Sequence, residues 1–411
     1  MLVLALSLLA AGCGTADTAH LTARSRVAAH AGTPGAHPGA HPDASPATAG
    51  SQPGSLLPMS ATFVSPSTGW LLADRCEPGP QPQSCSAVMR KTTDGGRQWF
   101  PVPAPPATPV TYLNVPMPGG VAQVRFADAD NGWVFGPGLW ATHDGGASWQ
   151  QLSTHGLMVT SLEAANGRAV AVFAAATTFQ VYTSVVGSDV WLPVPGAAGP
   201  AQGTVTEVGR NPQVAIEGST AVVSSSGMYA TGAGGGVLLS GPADGSAPWQ
   251  RWPVPCPVYA DSWMPVATTP GQLVLGCGGD AASGQSQKFV YTSADGGQSW
   301  QTRAPTPLPF TELPGPGFLD DIAVTPAGTI VASGDREVYF SWDNGMTWPT
   351  PPALASAVYL GGNADQVVVG MTTSEQGFAL PGTVEIGLAN GASWIWMTYD
   401  DGRTWTRVPI S

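Results

Sequence analysis

One eight-residue sequence decides the fold of this chain: TTDGGRQW at residues 92–99. The pattern Ser/Thr-x-Asp-x-Gly-x-x-Trp returns four more times, as THDGGASW at 142–149, SADGGQSW at 293–300, SWDNGMTW at 341–348 and TYDDGRTW at 398–405. We call these five stretches the boxes. A pattern that recurs along one chain indicates a structural repeat in which each copy is one supersecondary unit.

The four defined positions of each box are expected to be structural. They are Thr92, Asp94, Gly96 and Trp99; Thr142, Asp144, Gly146 and Trp149; Ser293, Asp295, Gly297 and Trp300; Ser341, Asp343, Gly345 and Trp348; and Thr398, Asp400, Gly402 and Trp405. The hydroxyl and the carboxylate accept hydrogen bonds from the turn's own N–H groups, and the glycine allows positive φ. The tryptophan places an apolar ring between neighbouring sheets. We therefore predict a self-capped hairpin turn. A catalytic carboxylate is not expected here, because it is needed once and not five times.

The spacing of the boxes predicts the architecture. Successive box tryptophans lie 48 to 57 residues apart, roughly one propeller blade (about 40 to 50 residues), except for a gap of three blade lengths between Trp149 and Trp300. Two degraded copies fill that gap: residues 182–191, which end in Trp191, and residues 240–249, which end in Trp249. We predict an all-β protein whose residues 56–411 form a seven-bladed propeller of four-stranded antiparallel blades.

Composition agrees with this prediction and excludes one class of partner. The chain has 53 glycines and 40 prolines, which supply turns, and only 10% charged residues. β-favouring runs such as residues 338–341 precede the boxes. The net charge is −12, and the only lysines are Lys91 and Lys288. A nucleic-acid partner is not expected, because it would require a basic stripe.

The N-terminus predicts where the protein works. Residues 1–11 are apolar but too short to span a bilayer, and they lead to LLAAGC at residues 8–13. This segment resembles the lipobox of bacterial lipoproteins, which implies cleavage before Cys13 and lipidation of its thiol. We therefore expect a signal peptide over 1–13 and a lipid anchor on the extracytoplasmic face of the cell membrane. The alternative is a plain signal peptide and a secreted protein.

Residues 14–55 are rich in Ala, Gly, Pro, Ser and Thr, and we expect them to be a disordered tether. The tether contains His20, His30, His37 and His41, but imidazoles without thiolate or carboxylate partners make a weak metal site. Residues 128–132 (DADNG) are one residue short of an EF-hand loop, and Leu139 occupies the position of its last ligand, so a turn is expected. We predict no metal and no cofactor.

Four cysteines remain after Cys13, and they fall in two near pairs. Cys76 and Cys85 bracket a proline-rich insertion, while Cys256 and Cys277 lie in the fifth repeat. Local disulfides are the natural proposal in an extracytoplasmic protein, although four cysteines allow three connectivities. A zinc site is the rival, but neither pair has Cys-x-x-Cys spacing and no histidine lies near.

The boxes resemble the Asp-box, or BNR, repeat of sialidase-like propellers. The segments FVSPSTGW at 63–70 and FADADNGW at 126–133, each followed by a box, resemble the photosystem II stability/assembly factor type of seven-bladed propeller. The first resemblance implies a fold shared with glycosidases. The second implies help in assembling a membrane complex.

Sialidase chemistry uses three arginines, a tyrosine nucleophile activated by a glutamate, and an aspartate. The Phe/Tyr-Arg-Ile-Pro element that opens such enzymes is absent, and Arg97 and Arg403 lie inside boxes. A site could still draw on Tyr112, Tyr259, Tyr359, Glu207 and Glu312. We predict no catalytic residue.

The sequence thus favours a membrane-tethered binding or assembly scaffold whose partner is a protein in or at the membrane. The alternatives are a sialidase-like glycoside hydrolase and a carbohydrate-binding surface protein. A glycan partner would be indicated by exposed rings such as Trp140 or Trp263, although a core position is the better expectation for a lone tryptophan.

Overall fold

The computed structural model describes residues 56–76, 85–110, 119–175, 177–200, 212–225, 236–256, 266–269, 271–282, 285–303, 319–334, 337–349, 367–380 and 393–411. Over these ranges the chain forms β-strands, turns and bends, and no helix. Within these ranges no helix has the length and apolar character needed to cross a membrane.

The strands group into seven sheets, which we number as blades 1 to 7 in chain order. Blades 1 to 3 contain β1 (Leu56–Phe63), β2 (Gly69–Cys76), β3 (Cys85–Thr92) and β4 (Phe100–Val102); β5 (Gln123–Phe126), β6 (Gly132–Phe135), β7 (Leu139–Thr142) and β8 (Gln150–Gln151); and β9 (Met158–Ala165), β10 (Arg168–Ala174), β11 (Thr178–Val185) and β12 (Leu192–Pro200). Blades 4 and 5 contain β13 (Gln213–Glu217), β14 (Thr220–Ser225), β15 (Val237–Pro242) and β16 (Gln250–Trp252); and β17 (Val266–Thr269), β18 (Gln272–Ala282), β19 (Gln285–Ser293) and β20 (Gln301–Arg303). Blades 6 and 7 contain β21 (Leu319–Val324), β22 (Ile330–Gly334) and β23 (Glu337–Ser341); and β24 (Val368–Met371), β25 (Gly377–Leu380), β26 (Trp394–Thr398) and β27 (Thr406–Pro409).

Each sheet is an antiparallel meander in which consecutive strands pair. The first strands β1, β5, β9, β13, β17, β21 and β24 contact one another in that order, and β24 contacts β1, so they form a closed inner ring. The predicted seven-bladed propeller of antiparallel blades is confirmed. Both predicted degraded repeats are present, as the β11–β12 and β15–β16 hairpins. In blade 6 the described part of the sheet has three strands.

The core consists of apolar layers between neighbouring blades. A box tryptophan packs in five of these layers: Trp99 packs between blades 7 and 1, Trp149 between 1 and 2, Trp300 between 4 and 5, Trp348 between 5 and 6, and Trp405 between 6 and 7. Each ring thus packs against the blade that precedes its own in the ring. The box therefore ties the hairpin of one blade to the sheet of its neighbour.

A glycine facing an aromatic ring opens the second strand in blades 1 and 2. Phe63 pairs with Gly69 across β1 and β2, and Phe126 pairs with Gly132 across β5 and β6. A Cβ at Gly69 would lie 2.6 Å from the Phe63 ring, and one at Gly132 would lie 2.5 Å from the Phe126 ring. Only glycine lets the ring cover the neighbouring strand so closely.

Candidate functional site

The boxes lie between the third and fourth strands of their blades, and their side chains cap the turn. In the first box, Thr92 Oγ1 donates a hydrogen bond to Asp94 Oδ1 at 2.8 Å, and the Gly96 amide donates to Thr92 Oγ1 at 2.9 Å. The Gln98 amide donates to Asp94 Oδ1 at 3.0 Å. The same hydroxyl-to-carboxylate and glycine-to-hydroxyl bonds occur in the other four boxes.

These hydrogen bonds keep the box carboxylates ionised. The side-chain hydroxyl and the amide of Ser148 donate to Asp144 and lower the pKa of its carboxyl to about 2. Ser299 does the same for Asp295 and lowers its pKa to about 2. A general acid would need a raised pKa. The box aspartates therefore have the chemistry of turn caps.

The two degraded repeats replace the box with other contacts. In blade 3, Thr183 Oγ1 donates to the carbonyl of Ala243 at 2.5 Å, which joins this hairpin to blade 4. In blade 4, the Ser246 amide donates to Asp244 Oδ1 at 2.9 Å and Trp249 Nε1 donates to the carbonyl of Pro242 at 3.0 Å. Trp249 packs between blades 3 and 4. Each degraded repeat thus still contacts the neighbouring blade.

The boxes also accept contacts from neighbouring blades, in two cases from another box. The carbonyl of the residue before the box glycine accepts a hydrogen bond from a neighbouring blade in three places. The donors are Trp70 Nε1 to Gly145 O at 3.0 Å, Trp342 Nε1 to Asp401 O at 2.8 Å and Tyr399 Oη to Gly95 O at 2.9 Å. We call the end of the propeller that carries the boxes the box face. Many of the polar groups on the box face thus form hydrogen bonds within the protein.

The second cysteine pair forms a disulfide bond. Cys256, just after β16 of blade 4, is bonded to Cys277 on β18 of blade 5, and their Cα atoms are 5.6 Å apart. Cys277 is fully buried. Cys85 is also disulfide-bonded, and residue 76 lies directly opposite it in the β2–β3 ladder.

Several residues named from the sequence lie outside the described residues. They are the lipidation candidate Cys13; the tether histidines; Trp263; and the catalytic alternatives Tyr112, Tyr259, Tyr359, Glu207 and Glu312. Trp140 is described, and it is buried in the layer between blades 1 and 2. It does not supply the exposed ring that a glycan surface would need.

The inner ring encloses a cavity of about 420 Å³, which is the candidate binding site. Its wall comes mainly from the seven first strands, because these are the innermost strand of each blade. The charged side chains on the described part of the wall are Arg125, Glu163, Asp320 and Asp321. The cavity therefore has one cation against three carboxylates.

Polar side chains of the inner ring hold neighbouring blades together. Ser60 Oγ accepts from the Val124 amide at 3.2 Å, Ser161 Oγ from the Val214 amide at 3.1 Å, and Asp321 Oδ2 from the Val369 amide at 3.3 Å. In all three cases the strand register shifts by one residue immediately before the acceptor. An extra residue of this kind redirects the side chains that follow it. These shifts thus aim a polar side chain at the next blade.

The cavity arginine is held by the wall as well. Arg125 Nε lies 2.5 Å from Glu163 Oε1, which joins blades 2 and 3, and both side chains are about a third exposed or less. Arg125 Nη1 donates to the carbonyl of Val124 at 2.9 Å and also reaches Ser60 Oγ. No other arginine lines the described part of the cavity. Arg97 and Arg403 lie in boxes on the box face, where they stack on Tyr399 and Trp342.

The DADNG segment forms a capped turn between β5 and β6. Asp128 Oδ1 accepts hydrogen bonds from the amides of Asp130 at 2.9 Å and Asn131 at 2.7 Å. The carboxylate is thus directed at the amides of its own turn. No group of three metal-ligating side chains is found among the residues that the structure describes.

Sequence reasoning missed the inner-ring residues Ser60, Arg125, Ser161, Glu163 and Asp321. They share no motif, and the register shifts that orient three of them leave no clear mark in the sequence. The only available signal was a polar residue within the first strand of a predicted blade. Such residues are too common to single out without the ring geometry.

These features define the protein as a seven-bladed β-propeller with a polar central cavity and capped, interlinked boxes. No protein-family model and no curated protein matches the sequence. Solved structures match the fold. YCF48 bound to D1 peptide is similar, with a TM-score of 0.51 and 18% identity over 85% of this chain and 94% of that chain.

An ancestral GH74 enzyme is similar as well, with a TM-score of 0.52 and 13% identity over 88% of this chain. The match covers 47% of that chain, so this protein spans about half its length. YCF48 from Cyanidioschyzon merolae matches with a TM-score of 0.46 and 13% identity over 72% of this chain and 88% of that chain. At these identities the likeness concerns the fold.

Proposed function

We propose that this protein is a non-catalytic binding or assembly scaffold that presents a propeller face to a protein partner. The proposal rests on the contacts that the polar side chains of the inner ring make with the neighbouring blade. Ser60, Ser161 and Asp321 accept amides of the next blade, and Arg125 is paired with Glu163. A catalytic site needs such groups to face the substrate. Here they brace the wall, which suits a rigid frame for binding.

A peptide or protein is the partner class that we favour. YCF48, a propeller of similar fold, is bound to D1 peptide, and this supports the proposal by analogy of fold alone. The boxes occupy one end of the ring with internal contacts. We assign the partner to the opposite end. There, β2 ends and β3 begins in blade 1, and the second strand ends and the third begins at the same end of the other blades.

We further propose that the protein works on the extracytoplasmic face of a bacterial membrane, anchored through Cys13. The Cys256–Cys277 disulfide supports this location, because disulfides persist in oxidising compartments. The lipobox-like segment at residues 8–13 supports the anchor. Replacement of Cys13 by Ala should move the protein from the membrane fraction to the soluble fraction. Continued membrane retention of the variant would contradict the lipid anchor.

The test of the scaffold is affinity capture of the tagged, anchored protein from gently solubilised membranes, followed by mass spectrometry. Trp300→Ala serves as the control, because it removes a ring that packs between blades 4 and 5. Enrichment of one membrane complex over this control, reproduced with purified components, is expected. Recovery of the same proteins with both forms would contradict the scaffold.

The rival functions receive a parallel test. The intact protein is assayed for sialoside hydrolysis and for binding to a glycan array, with Glu163→Gln as the variant that removes a cavity carboxylate. We expect no turnover and no glycan signal. Turnover that Glu163→Gln abolishes would replace the scaffold with a glycosidase.

A further inference from the structure

His143, the second residue of the box in blade 2, connects blades 2 and 3 on the box face. Its Nδ1 lies 2.9 Å from Asn131 Oδ1, and its Nε2 lies 3.2 Å from Asp189 Oδ1. Asn131 belongs to the turn before β6, and Asp189 belongs to the turn before β12 that replaces a box. Both ring nitrogens thus face an oxygen atom.

The orientation of Asn131 is fixed by its other contact. Asn131 Nδ2 donates to both carboxylate oxygens of Asp128, each at 3.0 Å. Rotating the amide by 180° would place its oxygen against that carboxylate. Asn131 Oδ1 therefore faces His143 as an acceptor, and the contact requires a proton on His143 Nδ1.

The second contact requires a second proton. An ionised Asp189 carboxylate only accepts hydrogen bonds, so His143 Nε2 must donate to it. A neutral imidazole carries one N–H, whereas the imidazolium carries two. We propose that His143 is a proton-dependent clasp between blades 2 and 3, closed as the imidazolium and released from one of its two partners when it loses a proton. Histidine is the side chain suited to this role near neutral pH.

Among the described residues, the charged groups that contact the clasp or adjoin it in sequence are carboxylates. Asp189 faces it from blade 3 and Asp128 lies behind Asn131, while Asp130 and Asp144 are chain neighbours of Asn131 and His143. Partial burial raises the pKa of Asp128, but hydrogen bonds from Asn131 and the nearby His143 hold it below its usual value. Of the cations, Lys91 of blade 1 approaches the box turn at Gly145, and Arg168 lies opposite Val185 in the β10–β11 ladder.

The clasp holds a segment with exposed apolar side chains. Val185, Val190 and Leu192 are 50%, 62% and 59% exposed, and they flank Asp189. Opening of the contact to Asp189 would loosen the turn that presents Val190. The protonation state of His143 thus controls how well ordered the segment around Asp189 is, with its exposed apolar side chains on the box face.

Hydrogen exchange of residues 186–192 tests the clasp in the full chain at pH 5.5 and pH 8.0, corrected for intrinsic exchange. We expect protection to be about two- to fivefold lower at pH 8.0, the range that one exposed ion pair allows. The box turn at residues 341–348 serves as the internal reference for global changes. Equal protection of residues 186–192 at both pH values, relative to this reference, would overturn the proposal.

Three variants test whether His143 and Asp189 cause the pH difference in hydrogen exchange. His143→Gln and Asp189→Asn should each abolish the pH difference. His155→Gln replaces the other described histidine, which is exposed, and should retain the difference. A pH difference that persists in His143→Gln would overturn the clasp. If a variant fails to fold, the comparison of the two pH values in the unmodified protein still tests the clasp. None of these outcomes depends on the proposed scaffold function.

Discussion

The phenolic hydroxyl of Tyr399 donates a hydrogen bond to the backbone carbonyl of Gly95 at 2.9 Å and joins the last blade to the first. Gln376 Nε2 donates to the same carbonyl at 3.0 Å, and the Arg97 guanidinium lies 4.3 Å from the centroid of the Tyr399 ring. Blade 1 is built from β1 to β4 and blade 7 from β24 to β27, so no strand of the described chain is exchanged between them. Closure of the ring therefore depends on side-chain contacts of this kind and on the apolar layer around Trp99.

Replacement of Tyr399 by Phe should weaken this closure slightly. The ring stays beneath Arg97 and the carbonyl of Gly95 keeps its bond from Gln376, so we expect a loss of about 0.5–1.5 kcal/mol in the free energy of unfolding. The double variant Tyr399→Phe/Gln376→Ala leaves the carbonyl without either donor and should lose about 1–3 kcal/mol more. Urea unfolding measures both. Equal stability of the single and double variants would show that Gly95 O does not need these donors.

The box carboxylates should make the propeller sensitive to acid. The pKa values of Asp144 and Asp295 lie at about 2 in the folded protein, below the value of about 3.9 for an unperturbed Asp. Their stabilising contribution is thus present above about pH 4 and is lost as the pH falls towards 2. Thermal unfolding between pH 6 and pH 2 measures the slope.

Replacing Asp295 by Asn should flatten that slope, because the turn then has no carboxylate to protonate. Asp130→Asn, in an exposed turn that does not form a box, is the matched control and should keep the slope of the unmodified protein. The same slope in both variants would mean that the box carboxylates do not govern the acid response.

The boxes could be predicted because the same local chemistry recurs in each. A hydroxyl, a carboxylate and a glycine at fixed spacing cap their own turn, whatever surrounds them. The residue before the box glycine also has positive φ, as in Gly95 at 77° and Asp401 at 59°, and the sequence pattern did not reveal this because Gly, Asn and Asp all tolerate it.

The contacts between blades could not be predicted in the same way. Tyr399 and Trp342 occupy a variable box position, and their partners lie in the next blade, at a separation fixed only by ring closure. Ser60 and Asp321 reach the neighbouring blade because the strand register shifts before them. Long-range geometry, and not local pattern, determines these contacts.

Asp74 should destabilise the protein as the pH rises. Burial raises the pKa of its carboxyl to about 8, and neither oxygen has a hydrogen-bond partner among the described residues. Because the folded pKa lies above the unfolded value of about 3.9, stability is complete below about pH 4 and is lost as the pH rises through 8.

The variant Asp74→Asn removes the ionisation and should raise the free energy of unfolding at pH 9, because each unit by which burial raises the pKa costs the folded protein about 1.4 kcal/mol once the unfolded chain is ionised. At pH 4 the variant and the unmodified protein should be similar. Urea unfolding at the two pH values gives the comparison. A variant that is no more stable at pH 9 than the unmodified protein would show that the Asp74 carboxylate finds compensation on ionisation.

The Cys256–Cys277 disulfide should contribute to stability by restricting the unfolded chain. The two cysteines are 21 residues apart in sequence and pin the segment after blade 4 to the second strand of blade 5. A loop of this size is worth about 3 kcal/mol. We expect the double variant Cys256→Ala/Cys277→Ala to lose about that much in urea unfolding under non-reducing conditions, where the disulfide of Cys85 stays intact.

The single variant Cys256→Ala is the matched control. It leaves Cys277 packed among Leu275, Phe289 and Tyr291, so it separates loss of the bond from loss of the buried sulfur. Both variants should be destabilised, and the double variant slightly more, because it also leaves a small cavity. If Cys256→Ala were as stable as the unmodified protein, the bond would not restrict the unfolded chain.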